Sequence, residues 1–169
     1  MSAKKDYTLQ GVKDVMANIN KALEQYQEKS LKGMILAAIH VRRSMEKTAP
    51  KIPVDKGNLR ASFFITTSKG GGDHAPGIKP EGKHAAEHQV TVNRAQAIIQ
   101  GKQPVVAMGF SANYAVYVHE NLQADFTRPI KIGGKLKKRR AGAGPRFFQA
   151  ALEREQNEII RILAEHSKL

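Results

Sequence analysis

A histidine and a glutamate stand side by side in the stretch NYAVYVHENL, and both residue types serve in acid–base catalysis and in zinc binding. The zinc-binding helix motif needs a second histidine four residues after the first, but the position four after His119 holds Gln123. No nucleophile with a recognisable motif accompanies the pair. We therefore interpret His119 and Glu120 as a surface hydrogen-bonding pair and predict no catalytic residue.

Four further candidate metal ligands lie in a segment rich in glycine, proline and charge, namely Asp73, His74, His84 and His88. Neutral imidazoles and carboxylates bind zinc, but successive histidine spacings of ten and four residues match no compact metal motif. The chain has no cysteine, which excludes thiolate ligands, disulfides and cysteine nucleophiles. The stretch KGGG also lacks the Gly-Lys-Ser/Thr ending of a phosphate-binding loop. We predict a solvent-exposed loop here, with no metal and no cofactor.

The third candidate is a cluster of positive charge. The 169 residues include 28 basic and 15 acidic ones, and this excess favours contact with polyanions such as DNA, RNA or an acidic protein surface. Six of the cations stand in the glycine-rich stretch KIGGKLKKRRAGAG: Lys131, Lys135, Lys137, Lys138, Arg139 and Arg140. Because glycine does not sustain a helix, we predict a mobile basic loop. The lack of aromatic residues among these cations argues against stacking on single strands, whereas sequence-independent contact with DNA remains open.

A long N-terminal helix must carry the first part of the chain. Apolar residues recur at steps of three and four from Leu9 to about residue 49, which predicts one helix or two collinear ones with a single apolar stripe. Gly33 is the candidate position for a bend, and Pro50 and Pro53 end the helical pattern.

Three strands and two further helices are predicted after this helix. Residues 59–68 are rich in aromatic and β-branched types, HQVTVN alternates as a strand does, and PVVAMGF is a short apolar run suited to a buried strand. NYAVYVHE has apolar residues at helical spacing and predicts a short helix. Pro145 suits the first position of a C-terminal helix whose apolar face includes Phe148, Leu152 and Ile159.

Together these elements predict one α+β domain over residues 1–169. We expect the long N-terminal helix and the C-terminal helix to pack on one face of a small, mainly antiparallel β-sheet. Residues 1–7 are expected to be flexible, and residues 69–88 and 123–144 are expected to be mobile loops. The chain has no apolar run long enough to cross a bilayer and no secretory signal at its start, so we expect it to fold in the cytoplasm.

Three short motifs follow one another along the chain. The first is a turn into the first strand, with Ala49, Pro50, Val54, Asp55, Gly57, Leu59, Arg60 and Ser62. The second opens the short helix, with Tyr114, Ala115, Tyr117 and Val118. The third opens the last helix, with Pro145, Phe147, Ala151 and Leu152. In order and spacing, and over most of the chain, these motifs resemble the tail-component family of tailed bacteriophages, the neck or tail-completion proteins of head–tail joining.

The resemblance implies a non-enzymatic, structural virion protein that forms a homo-oligomeric ring between the DNA-filled head and the tail. A hexamer is expected, with a dodecamer as the alternative. The protein would be made in the host cytoplasm, end in the neck or tail of the virion, and contact other neck and tail proteins but no membrane.

In such a ring, the basic residues at 131–140 are candidates for a DNA channel or a partner contact. Tyr114, Tyr117, His119 and Glu120 are candidates for the subunit interface, although a core position is favoured for Tyr114. The charge by itself leaves one alternative, a basic nucleic-acid-binding protein without enzymatic activity.

Overall fold

The computed structural model describes residues 11–101, 104–126 and 128–168. Its elements, in chain order, are α1 Val12–Lys47, α2 Asn58–Ala61, β1 Phe63–Thr67, α3 Lys83–Ile99, β2 Val106–Phe110, α4 Ala115–Glu120, β3 Ile130–Ile132, β4 Lys135–Lys137, α5 Phe147–Arg154 and α6 Gln156–His166. The predicted α+β class is confirmed. The expected flexible stretch 1–7 and the helix start at Leu9 lie outside the described residues.

Helix α1 runs without interruption for 36 residues, through Gly33, so the prediction of one long helix is confirmed. A Cβ atom built on Gly33 would lie 2.7 Å from the Cβ of His166, closer than side-chain atoms pack. Glycine at this position therefore lets α6 approach the backbone of α1. None of the helices within the described ranges is long and apolar enough to cross a bilayer.

Strands β1 and β2 form an antiparallel pair in which Phe63 lies opposite Phe110. These two rings meet edge to face at 5.2 Å, and Phe110 continues the contact to Phe147 of α5 at 5.6 Å. Val41 and Met45 of α1 complete this core and are almost fully buried. Burial of side chains of this size contributes about 1.5–3 kcal/mol each, so this aromatic and aliphatic layer stabilises the fold.

The stretch HQVTVN was predicted to be a strand, and that prediction is wrong because the stretch lies inside α3. His88 and Val92 are four residues apart, share one helical face and are buried, whereas Val90 between them is 67% exposed. Successive side chains of β1 point to opposite faces of the sheet, so Phe64 points away from the face that holds Phe63. The ring of Phe64 lies 6.4 Å from the ring of His88. Helix α3 therefore covers the second face of the sheet, a layer that the sequence did not predict.

Both predicted loops contain regular structure. The end of the 69–88 loop is helical from Lys83, and the 123–144 loop contains the antiparallel hairpin β3–β4. Gly133 and Gly134 connect the two strands, and both have positive φ, as a two-residue type I′ turn requires. The glycines that argued against a helix thus serve a tight turn.

The predicted C-terminal helix is present but divided into α5 and α6 at Glu155, and it begins at Phe147 rather than at Pro145. The Glu155 carboxylate accepts hydrogen bonds from His40 at 2.6 Å and from Ser44 at 2.7 Å, both in α1. These hydrogen bonds, that from His40 first, lower the pKa of Glu155. The interruption between α5 and α6 therefore lies at the residue that fastens them to α1.

Candidate functional site

The first two family-like motifs meet in one cleft, although more than fifty residues separate them in sequence. The turn at residues 53–59 lies beside α4, and the cleft between them has a volume of about 480 Å³. Most of its apolar lining comes from six side chains: Val54, Leu59, Tyr114, Tyr117, Val118 and Phe126. The pairing of β1 with β2 explains the meeting, since Ser111 after β2 donates its backbone N–H to the carbonyl of Ser62 at 2.9 Å.

Tyr114 stands at the edge of this cleft and not in the core, so the preferred core position is wrong. The residue is 40% exposed, and the small Ala115 beside it occupies the buried position at the start of α4. Burial raises the pKa of the Tyr114 phenol, the negative charge of Asp55 raises it further, and a hydrogen bond with the Leu59 backbone opposes both. The tyrosine thus joins the 53–59 turn to α4.

Tyr117 is 70% exposed, and Val116 and Leu122 beside it also lie open to solvent. We call these three residues the α4 patch. An exposed cluster of large apolar side chains on a folded domain commonly marks a contact surface. The interface position predicted for Tyr117 is compatible with this exposure and stays a prediction.

His119 and Glu120 form the predicted hydrogen-bonding pair, with Nδ1 of His119 2.6 Å from a carboxylate oxygen of Glu120. The other ring nitrogen, Nε2, accepts a long hydrogen bond of 3.5 Å from the backbone N–H of Gln149, and the ring packs edge-on against Phe147 at 5.1 Å. The carbonyl of His119 also accepts the N–H of Arg146 at 2.8 Å. His119 therefore fastens α4 to the third motif, and both of its nitrogens are engaged.

The cations at 131–140 divide into two groups. Lys131, Lys135 and Lys138 are exposed around the β3–β4 hairpin, and the side chain of Lys137 lies outside the described part of the structure. Arg139 instead lies over the ring of Phe126 at 5.9 Å. We call residues 130–138 the basic hairpin.

Arg140 belongs to the body of the domain. Its Nη1 atom lies 2.6 Å from Glu46 Oε2, and the same guanidinium also donates to the backbone carbonyls of Glu46 and Ile52. Arg140 therefore has a structural role, and Lys131, Lys135 and Lys138 are the members of the candidate cluster that the structure places in solvent. Contact of the cluster with DNA or with a partner stays a prediction.

Asp73 and His88, predicted to lie in a solvent-exposed loop, are half-buried to buried and hydrogen-bonded. Oδ1 of Asp73 accepts the backbone N–H groups of Ile65 at 2.9 Å and Ala75 at 2.8 Å. Oδ2 accepts from the Lys79 ammonium and from His88 Nε2, the latter at 3.0 Å. The prediction of a solvated loop is therefore wrong for these two residues.

The network extends from His88 to Ser111, whose hydroxyl lies 2.8 Å from Nδ1. A carboxylate only accepts hydrogen bonds, so Nε2 of His88 carries the proton toward Asp73, and Nδ1 is the ring nitrogen that faces the Ser111 hydroxyl. In a catalytic Ser-His-Asp triad the two nitrogens have the opposite partners. The backbone N–H of Ser111 is also occupied by Ser62, which removes it as an oxyanion donor.

Asp73 thus acts as a latch that holds the 69–82 segment on β1 and α3. Burial alone would raise the pKa of Asp73, but hydrogen bonds from Lys79, two backbone amides and His88 outweigh burial and lower it. His84 pairs instead with Glu87 at 3.3 Å, and His74 contacts the carbonyl of Gly70 at 3.2 Å. Within the described ranges, no three His, Asp or Glu side chains gather as metal ligands.

Sequence reasoning missed Ser111, Lys79 and Glu46 because no short motif connects them to their partners. Separations of 15 and 23 residues join His88 to Asp73 and to Ser111, and only the folded chain brings them together. Comparisons with known proteins find no matching family model, no matching curated protein and no matching solved structure.

Proposed function

We propose that the chain is a structural virion protein of a tailed bacteriophage that forms a ring at the head–tail junction, as a neck, tail-completion or tail-terminator protein. The observation that supports this most is that two different apolar surfaces of the described chain are left uncovered. One is the first half of α1, and the other is the α4 patch.

The uncovered part of α1 comprises residues 12–29, which we call the α1 arm. Its large apolar side chains are between 38% and 60% exposed: Val12, Val15, Met16, Ile19, Leu23 and Tyr26. Five of them, beginning with Val12 and then Met16, follow steps of four and three, the repeat of a helix that packs along another helix. Helix α6 packs near Gly33, farther along α1. The arm therefore has the apolar pattern of a helix that packs against another surface, but in the described part of the chain its large apolar side chains are left exposed.

The α1 arm and the α4 patch lie on different elements, so a contact between them in two copies would join unlike surfaces. Such a heterologous contact generates a ring when its rotation closes. The family resemblance implies a hexamer, with a dodecamer as the alternative, and both are rings that such a contact can close. The convergence of the three motifs around the cleft and α5 supports the same assignment.

DNA passing through such a ring would need sequence-independent contacts, and exposed lysines neutralise phosphates in that way. The basic hairpin presents Lys131, Lys135 and Lys138 to solvent. The same hairpin favours the second candidate, a cellular nucleic-acid-binding protein. That candidate requires salt-dependent DNA or RNA binding by the isolated monomer and no association between copies.

The test is the mass of the purified protein by native mass spectrometry and light scattering. We expect a closed oligomer built from subunits of 18.6 kDa. Met16→Asp combined with Leu23→Asp should yield monomers, because each places a charge in the apolar stripe of the α1 arm. Val90→Asp, on the exposed side of α3, is the matched control and should leave the oligomer intact.

The virion assignment needs a second measurement. The protein should be detected in purified phage particles, and infections without it should accumulate DNA-filled heads and tails that are not joined. A protein that stays monomeric at every concentration and is missing from particles would contradict the proposal.

A further inference from the structure

A second concentration of positive charge lies away from the basic hairpin, in a groove of about 560 Å³. The groove is bounded by the C-terminal end of α1, the turn at residues 54–61 and the segment 76–81. Six basic side chains line it against two acidic ones: Arg42, Arg43, Lys47, Lys56, Arg60 and Lys79. We call it the basic groove.

One carboxylate at the side of this groove is shared by three guanidinium groups. Glu46 pairs with Arg42, with Arg60 at 2.9 Å and with Arg140 at 2.6 Å. A single negative charge cannot neutralise three positive ones, so the cluster keeps a positive excess in a half-buried place. Positive charge that is partly withdrawn from water attracts an anion more strongly than exposed charge does.

The titration of the two central groups reflects the same excess. Burial lowers the pKa of Arg42, and the charges of Arg60 and Arg140 lower it further against the opposing effect of Glu46. Burial alone would raise the pKa of Glu46, but its arginine partners outweigh burial and lower it. The arginines therefore stabilise Glu46 in its charged form.

Two of the basic side chains of the groove, Arg42 and Lys79, are also held in place. Arg42 donates to the carbonyl of Arg60 at 2.8 Å and lies over the ring of Phe63 at 5.2 Å. Lys79 is held by Asp73 and by the carbonyl of Ala75. Side chains that are ordered before binding lose little conformational entropy when a ligand arrives.

Most of the uncharged lining of the groove is apolar and includes Val54, Pro76, Ile78 and Pro80, with Asn58 as a polar member. Ile78 is 80% exposed, so its side chain is accessible to a ligand in the groove. We propose that the basic groove binds a short acidic peptide segment of a partner protein, with Asp or Glu side chains on the arginines and an apolar side chain against Ile78.

Two features favour a peptide over nucleic acid. None of the described side chains that line the groove is aromatic, so they offer bases no ring to stack on. Its volume is that of a site which encloses a ligand of modest size, so a duplex would touch only the rim. The inference holds whether or not the chain forms a ring.

The test uses the full chain and a fluorescein-labelled peptide in which Glu alternates with Leu, followed by fluorescence polarisation. Arg43→Glu combined with Lys47→Glu, at exposed positions on the rim, should weaken binding about tenfold or more. The matched control, Lys131→Glu with Lys135→Glu in the basic hairpin, makes the same change of charge and should weaken binding less than about twofold.

Two further arms address the chemistry of the ligand. Replacing Glu by Gln in the peptide should abolish binding, and Ile78→Ser should weaken the Glu-Leu peptide about threefold but leave a Glu-Ser peptide unchanged. Equal losses in the groove and hairpin variants would show non-specific attraction and overturn the proposal. Displacement of the peptide by a DNA oligonucleotide whose own binding is lost in the groove variant would assign the groove to nucleic acid instead.

Discussion

The basic hairpin and the basic groove carry similar charge but are built in opposite ways. The cations of the hairpin are neighbours in sequence, and Lys131, Lys135 and Lys138 project from a two-stranded ribbon into solvent. The cations of the groove come from three separate segments of the chain, and three of them, Arg42, Arg60 and Lys79, are braced by Glu46 or Asp73. The difference shows that a high density of charge in the sequence does not by itself make a shaped binding site.

The two regions should also respond differently to salt. Exposed, unbraced lysines are screened within about 8 Å at physiological ionic strength, whereas partly buried charges are screened much less. Contacts of the hairpin are therefore expected to be weak at high salt and indifferent to ligand shape. Contacts of the groove should retain more affinity and select for a ligand that places carboxylates against fixed arginines.

The largest effect is expected from removing the carboxylate that braces the groove. Glu46→Gln leaves three guanidinium groups facing one another without a counter-charge, which should lower the free energy of unfolding by about 2–4 kcal/mol. Urea denaturation followed by circular dichroism measures it. Glu120→Gln is the control for an exposed glutamate. An equal loss of stability in both variants would mean that the three arginines do not make Glu46 more important than an exposed glutamate.

The next effect concerns the latch that holds one wall of the groove. Asp73→Asn removes a carboxylate with four hydrogen-bond partners and should lower the free energy of unfolding by about 1–3 kcal/mol. Because folding lowers the pKa of Asp73, its stabilisation is present above the unfolded value of about 3.9 and is lost as pH falls through the folded value.

The difference in stability between wild type and Asp73→Asn should therefore shrink on acidification below about pH 4, as denaturation at several pH values would reveal. DNA binding by the basic hairpin should not change in this variant. A difference that stays constant down to the lowest pH would show that the carboxylate charge is not what stabilises the latch.

A smaller effect, in affinity rather than stability, is expected from the hairpin. Replacing Lys131, Lys135 and Lys138 by alanine should reduce the affinity for duplex DNA by about tenfold, equivalent to about 1.4 kcal/mol. The slope of log K against log salt should fall by about one for each lysine that contacts a phosphate. If the groove variant with Arg43→Glu and Lys47→Glu lost DNA affinity to the same extent, the two regions would not be functionally separate.

The smallest effect should be on stability at the hairpin. Lys135→Ala changes an exposed side chain and should alter the free energy of unfolding by less than about 0.5 kcal/mol. Arg140→Ala, five residues later, should cost more because its guanidinium holds Glu46 and the Ile52 carbonyl. Thermal unfolding of the two variants would separate a surface cation from a structural one within the same stretch of sequence.

Some elements could be read from sequence because a single local pattern decides them. The stripe of α1, the aromatic strand β1, the apolar strand β2 and the short helix α4 were all predicted in kind. The failure at HQVTVN has an equally local cause, since residues such as His88 and Val92 fit a strand face and also a helix face. In the folded chain, His88 packs against Phe64 from the buried face of the helix.

The candidate interface residues show the same limit. The exposed position of Tyr117 follows from α4 having one buried face, which its sequence pattern contains. The exposure of Tyr114 does not follow from the pattern of α4. It depends on where the helix starts and on the turn at residues 53–59, which comes from another part of the chain. The side chains of a helix end are placed by what packs beside them.

The sequence by itself determined the α+β class, the absence of thiol chemistry, the positive charge and the apolar stripe of the α1 arm. These properties depend on composition or on residues within a few turns of each other. Only the tertiary structure decided that Asp73, His88 and Ser111 form a latch and that Glu46 collects three arginines beside an apolar groove. The physical reason is that burial and charge pairing depend on distances across the fold, and no local pattern in the chain records them.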